Sequence, residues 1–119
     1  MTKHDQSRVV TYLDHILEAI QRINEYTDDM TELVFLQNKL VQDAVIRNLE
    51  VIGEACRNID RCCPEFTEKY SDFPLRIACE MRNALAHGYF KVDLEIVWKT
   101  IENDLPSLEK KIRKIQQIA

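Results

Sequence analysis

The chain has 119 residues, of which 45% are hydrophobic and 30% are charged, and its formal net charge is −4 at pH 7. This length fits a single domain spanning residues 1–119, and the composition excludes both a disordered chain and a membrane protein. Only two glycines and three prolines are present, whereas β-sandwiches and barrels need many such residues for their tight turns. We therefore expect an all-α fold.

The acidic balance also limits the partners. Proteins that bind nucleic acids generally carry a net positive charge, so any phosphate site in this chain must be local, and we expect no DNA partner. No apolar run approaches the length of a membrane span, and the N-terminus, MTKHDQSR, lacks the apolar core of a signal peptide. We expect a cytoplasmic protein with no membrane partner.

Apolar residues at helical spacing predict a first helix over about residues 7–26 and a second, longer helix over about residues 31–59. The second helix contains Gly53, where glycine costs about 1 kcal/mol relative to alanine. A close approach of a neighbouring backbone would explain a glycine there. The apolar stripes are Val9, Leu13, Ile16, Ile20 and Ile23 in the first helix, and Val41, Val45, Leu49, Ile52, Cys56 and Ile59 in the second.

Two further helices complete the prediction. Pro74 suits the first position of a third helix that runs to about residue 86, and Gly88 follows where a left-handed residue would end it. Asp93 is a good N-cap for the last helix. The apolar stripe of that helix continues across Pro106, which favours one helix kinked at this proline. The stripe comprises Leu94, Val97, Ile101, Leu105, Leu108, Ile112 and Ile115. Four helices with short connections predict an antiparallel four-helix bundle.

The four cysteines, Cys56, Cys62, Cys63 and Cys79, lack the paired spacings of a zinc site. In a cytoplasmic protein they are expected to be reduced thiols. We therefore predict no metal site.

Polar residues that could carry chemistry crowd the end of the third predicted helix. Asn83 and His87 are four residues apart and share one face, Arg82 lies beside them, and Gly88 lets Tyr89 fold back. An arginine presents a planar fork to phosphate oxygens, and a histidine can move a proton near neutral pH. The set suits cleavage of an RNA phosphodiester, in which the ribose 2′-hydroxyl attacks and no metal is required.

A structural interpretation of the same residues stays open. A histidine at a helix C-terminus is favoured by the helix dipole, and an arginine on a helix usually lies at the surface. Tyr89 and Phe90 would then be core aromatics. The residues alone do not decide between the two interpretations.

The spacing of Arg82, His87 and Tyr89 matches the R-x4-H-x-Y pattern of the HEPN superfamily. The run RNALAHGYF resembles the corresponding stretch of HepT-like ribonuclease toxins, which are paired with MNT nucleotidyltransferase antitoxins. The runs AVIRNLEVIGEACRNI and VDLEIVWKTIENDLPSLEKKI also resemble that family, so the resemblance covers most of the chain.

This resemblance implies a HEPN-like bundle that works as a metal-independent endoribonuclease without a cofactor. It implies a homodimer in which the two motifs face each other across one cleft that binds RNA. His87 would be the acid and base, Arg82 would hold the scissile phosphate, and Asn83 would orient the substrate. Tyr89 corresponds to the tyrosine that the nucleotidyltransferase antitoxin modifies with AMP, which blocks cleavage.

Other residues have more than one interpretation. Glu54 either braces Arg82 or belongs to the solvated stripe of the second helix, and Trp98 is expected in the core or at the dimer interface rather than stacked on a base. The basic end of the last helix is expected to be a solvated terminus rather than a contact with RNA. The basic residues are Lys110, Lys111, Arg113 and Lys114.

The rival function is a non-catalytic helical module that binds a nucleotidyltransferase.

Overall fold

A computed structural model of the chain describes residues 2–70 and 93–118, and within these two ranges the secondary structure is helical, with no strand. The expected all-α fold is confirmed. The third predicted helix, residues 74–86, lies outside the described residues. The elements in chain order are α1 (Lys3–Tyr26), α2 (Glu32–Gln37), α3 (Lys39–Cys62), α4 (Pro64–Lys69), α5 (Leu94–Lys99), a π-helical segment (Thr100–Asp104) and α6 (Leu105–Ile118).

The core is built around the pair α1 and α3, which form the most extensive interface between elements in the described part of the chain. The stripe predicted for α1 is entirely buried, and so is that of α3 apart from the half-buried Val41. Gly53 is also buried. Burial of these branched aliphatic side chains is the main driving force for the fold, at roughly 25 cal/mol per Å² of apolar surface. The helical periodicity of the sequence therefore identified the core.

The prediction of one helix over residues 31–59 is wrong, because the chain breaks at Asn38 into α2 and α3. Asn38 has extended backbone angles (φ −112°, ψ 93°), and its side-chain oxygen accepts a hydrogen bond from the Val41 N–H at 3.1 Å. The amide of Gln42 donates to the Phe35 carbonyl at 2.9 Å, which satisfies a buried acceptor near the break. The first helix also begins earlier than predicted, at Lys3, with Thr2 as its N-cap.

The last helical region follows the predicted stripe. The carboxylate of Asp93 accepts hydrogen bonds from the Glu95 and Ile96 N–H groups, which confirms this residue as the N-cap. A π-helical segment precedes Pro106, with the Leu105 N–H bonded to the Thr100 carbonyl. The predicted kink at Pro106 is not confirmed. The five central residues of the stripe, Val97, Ile101, Leu105, Leu108 and Ile112, are buried, and Leu94 and Ile115 are half-buried.

The short helix α2 packs against α3 and α5. Its Phe35 is fully buried, whereas Leu33 and Val34 are exposed. Leu40 and Ile96, at the starts of α3 and α5, are exposed as well. Among the helices of the described ranges, none combines the length and hydropathy needed to cross a bilayer.

Candidate functional site

The four motif residues predicted from the sequence, Arg82, Asn83, His87 and Tyr89, lie outside the described residues. What the structure does describe is the chain on either side of the motif. Tyr70 is the last described residue before it, and Asp93 is the first one after it. The roles predicted for the motif residues therefore stay predictions.

On the upstream side, the chain approaches the motif through α4 and an aromatic pair. The rings of Phe66 and Tyr70 have centroids 4.9 Å apart, and Phe66 is buried in the core. The Tyr70 N–H donates to the Phe66 carbonyl at 3.0 Å, and the Lys69 ammonium lies 5.4 Å from the centre of the Tyr70 ring. Tyr70 therefore has a defined position on the core surface.

On the downstream side, the chain leaves the motif through the capped start of α5. The N–H groups of Glu95 and Ile96 lie 3.1 and 3.3 Å from the same oxygen of Asp93. One turn later, Trp98 packs against Phe35 with ring centroids 5.2 Å apart. Trp98 is buried in the core, which is one of the two places predicted for it.

An open groove of about 730 Å³ lies beside Tyr70, between α1, α4 and the end of α6. Its lining is mainly apolar and includes the charged residues Lys3, Lys69 and Glu65. Among the described residues of its lining, the charges therefore have both signs. The apolar lining residues include Val9, Val10, Leu13, Phe66 and Ile115.

Glu54 is exposed on α3. Its predicted contact with Arg82 involves a residue outside the described ranges. At the basic end of the last helix, Lys110 and Lys114 are exposed, and Arg113 pairs with Glu109 at 3.2 Å. Lys111 is half-buried, and the choice between a solvated terminus and a contact with RNA stays a prediction.

Cys56, Cys62 and Cys63 carry reduced thiols, and Cys79 lies outside the described residues. The sulfur atoms of Cys62 and Cys63 lie 2.7 Å apart, a juxtaposition that the sequence analysis did not anticipate. The only signal for it in the sequence is that the two residues are adjacent. In the ranges that the structure describes, no group of three or more histidine, cysteine and acidic residues could hold a metal ion.

A sequence profile described as "Ribonuclease HepT-like" matches residues 16–115 of this chain. The "Probable ribonuclease HepT" of Thermococcus cleftensis is 42% identical over 89% of this chain and 94% of its own length. The "Putative RNase MJ1380" of Methanocaldococcus jannaschii is 38% identical over 94% of this chain and 97% of its own length.

A protein of Methanocaldococcus jannaschii named "Gamma-glutamylcyclotransferase and putative RNase MJ0434" is 47% identical over 92% of this chain. The chain spans only 48% of that protein, about half of its length. No solved structure matches this one. The profile match and the two relatives of similar length extend the similarity from the motif to most of the chain. This chain therefore belongs to the HepT-like ribonuclease family of the HEPN superfamily.

Proposed function

We propose that this chain is a metal-independent endoribonuclease and the toxin of a toxin–antitoxin pair. The observation that carries the proposal is the R-x4-H-x-Y motif at Arg82, His87 and Tyr89, inside the region that matches the HepT-like profile. Relatives that cover nearly the same length are named as ribonucleases, which supports RNA as the substrate.

Each motif residue has a distinct role in the proposed reaction. His87 removes the proton of the ribose 2′-hydroxyl, and the resulting oxygen attacks the adjacent phosphorus. Arg82 donates paired hydrogen bonds to the phosphate oxygens as negative charge builds on them. Asn83 holds the substrate in line for attack, and the protonated His87 returns a proton to the 5′-oxygen as it leaves. The nucleophile belongs to the RNA, so the reaction needs no metal to generate one.

The proposed active unit is a homodimer in which two motifs face one cleft. Each chain carries a net charge of −4, which opposes binding of RNA. Two copies of Arg82 and two of His87 around a two-fold axis would create a local positive site on this acidic body. Binding that depends on so few charges weakens as the salt concentration rises.

The proposed antitoxin is a nucleotidyltransferase that transfers AMP to the hydroxyl of Tyr89. An adenylate two residues from His87 would bring a phosphate close to Arg82 and compete with the RNA backbone for it. This competition is both steric and electrostatic. It explains how a single modification on the motif could stop cleavage.

The proposal is tested by incubating cellular RNA with the purified, unmodified protein in EDTA, in parallel with its His87→Ala form. His15→Ala is the matched control, because His15 is an exposed histidine on α1, remote in sequence from the motif. We expect cleavage by the native protein and by His15→Ala, and none by His87→Ala.

Equal background from all three proteins would contradict the nuclease, provided that the intact mass confirms an unmodified Tyr89. That result would favour the rival function, a non-catalytic module that binds the nucleotidyltransferase. Circular dichroism and size-exclusion chromatography of the His87→Ala form establish that its fold and its assembly match those of the native protein.

A further inference from the structure

Two adjacent cysteines meet where α3 gives way to α4. Cys62 is the last residue of α3, and Cys63 is the single residue between the two helices. Their sulfur atoms are 2.7 Å apart, whereas a disulfide bond measures about 2.0 Å. The two sulfur atoms therefore lie close to bonding distance.

The two thiols differ in access. Cys62 is half-buried, whereas Cys63 is fully buried. The Cys63 thiol donates a long hydrogen bond, 3.6 Å, to the Asp5 carbonyl of α1. Burial, and after it the hydrogen bond with Cys62, raises the pKa of the Cys63 thiol from 9.0 to about 12. Because Cys62 is the more exposed of the two residues, its sulfur is the one that a dissolved oxidant reaches first.

We propose that Cys62 and Cys63 form a modification site for hydroperoxides, which convert the pair into a reversible disulfide between adjacent residues. In the first step the Cys62 thiolate attacks the peroxide, the O–O bond breaks and a sulfenic acid forms, while the released alkoxide (hydroxide, from hydrogen peroxide) takes up a proton from water. In the second step the Cys63 sulfur attacks the sulfenic sulfur, and its proton leaves with the displaced hydroxide as water. Two electrons pass from the sulfur pair to the peroxide.

The disulfide would be easily reduced. Adjacent Cα atoms are about 3.8 Å apart across a trans peptide, below the usual range of about 4.4–6.8 Å for bridged cysteines. Such strain raises the reduction potential and makes a disulfide labile. Thiols of the cell could therefore reopen the ring, which is the behaviour of a reversible modification rather than of a structural bridge.

Formation of the ring also changes the contacts of the corner. The sulfur of Cys63 loses its proton and therefore can no longer donate to the Asp5 carbonyl. Cys63 also accepts the first backbone hydrogen bond of α4, from the Phe66 N–H at 2.9 Å. We expect the oxidised chain to exchange the amide protons of Phe66 and Tyr70 faster than the reduced chain.

The experiment uses the native chain, treated with an equimolar amount of hydrogen peroxide, unfolded in N-ethylmaleimide and digested with trypsin. Cleavage after Arg61 and Lys69 yields a peptide of residues 62–69 that holds Cys62 and Cys63 and no other cysteine. We expect this peptide without alkylation and lighter by two hydrogen atoms. After dithiothreitol treatment it should carry two maleimide groups.

Two variants sharpen the test. In Cys63→Ser the ring cannot form, so a sulfenic acid should accumulate on Cys62 and react with dimedone. In Cys79→Ser, the matched cysteine control, the peptide of residues 62–69 should lose two hydrogen atoms as in the native chain.

Three outcomes would overturn the proposal: alkylation of both cysteines after oxidant treatment, a disulfide that links Cys62 to Cys56, Cys79 or a second chain, or oxidation of Cys62 to the sulfinic acid without ring closure. Each is read from the masses of the same digest.

Discussion

The rings of Phe35 and Trp98 lie with their centroids 5.2 Å apart and their planes inclined by 34°. This contact joins the short helix α2 to α5, the first element after the motif segment. Phe35 is fully buried and Trp98 is 6% exposed, so the pair is part of the core. A helix of six residues has little stability of its own, and this packing explains how α2 persists beside the break at Asn38.

We expect Phe35→Ala to lower the free energy of unfolding by about 3–5 kcal/mol, because it leaves a cavity beside the indole. Leu33→Ala, on the same helix but at a side chain 66% exposed, should change it by less than about 0.5 kcal/mol. Trp98 is the only tryptophan, so its fluorescence during urea unfolding measures both variants. Similar losses from the two substitutions would contradict the packing role of Phe35.

Asp93 offers a test of the boundary between the motif and α5. Asp93→Ala removes the acceptor for two backbone N–H groups and should lower the free energy of unfolding by about 1 kcal/mol. Asp93→Asn should retain most of that stability, since asparagine caps helices as well as aspartate does. Thermal unfolding by circular dichroism measures the difference, and an equal loss in both variants would show that the cap is not what stabilises this start.

The buried thiol of Cys63 makes stability depend on pH. Its folded-state pKa is about 12, above the ordinary value of 9.0, so the folded chain holds the proton more tightly than the unfolded chain. The resulting contribution to stability is complete below pH 9 and is lost as the pH rises toward 12. We expect Cys63→Ala to flatten the decline of the free energy of unfolding over this window.

The measurement for Cys63 is urea unfolding at a series of alkaline pH values, under reducing conditions, for the native chain and the variant. Other groups titrate in the same window in both proteins, so only the difference between the two profiles is informative. Parallel profiles would contradict a raised pKa at this thiol.

The role proposed for Arg82 predicts a large kinetic effect. Arg82→Ala should slow RNA cleavage by about 10²–10³-fold, the usual loss when one donor to a developing charge is removed. Arg22→Ala is the matched control, because Arg22 lies on the exposed face of α1, paired with Glu18 at 2.7 Å. Single-turnover cleavage of a defined RNA measures both, and equal slowing would indicate a general loss of positive charge.

The proposed modification at Tyr89 predicts a single addition of AMP when the chain is incubated with ATP and a partner nucleotidyltransferase. Tyr89→Phe should abolish the addition, since the accepting hydroxyl is gone. Tyr26→Phe, which changes an exposed tyrosine at the end of α1, should accept AMP like the native chain. Intact mass spectrometry reads the outcome, and a modified Tyr89→Phe chain would move the acceptor elsewhere.

The sequence predicted those features that depend on periodicity and on residue identity. The stripes of α1 and of the last helix were recoverable because burial selects apolar side chains at each turn. The break at Asn38 was missed because the apolar pattern runs through it, and the polar bonds of Asn38 and Gln42 that stabilise it leave no periodic signal. The motif was recognisable because it is defined by the identities and the spacing of Arg82, His87 and Tyr89. These can be read without any periodic pattern of apolar residues.

The π-helical segment Thr100–Asp104 has a consequence for how the length of this chain can vary. A π-helical turn is an α-helical turn with one residue inserted, so deleting one residue here would restore a regular helix and leave both flanks facing the core. Pro106 opposes that deletion, because its ring would meet the carbonyl four residues earlier. In related chains, the loss of one residue at this point should therefore occur together with replacement of the proline.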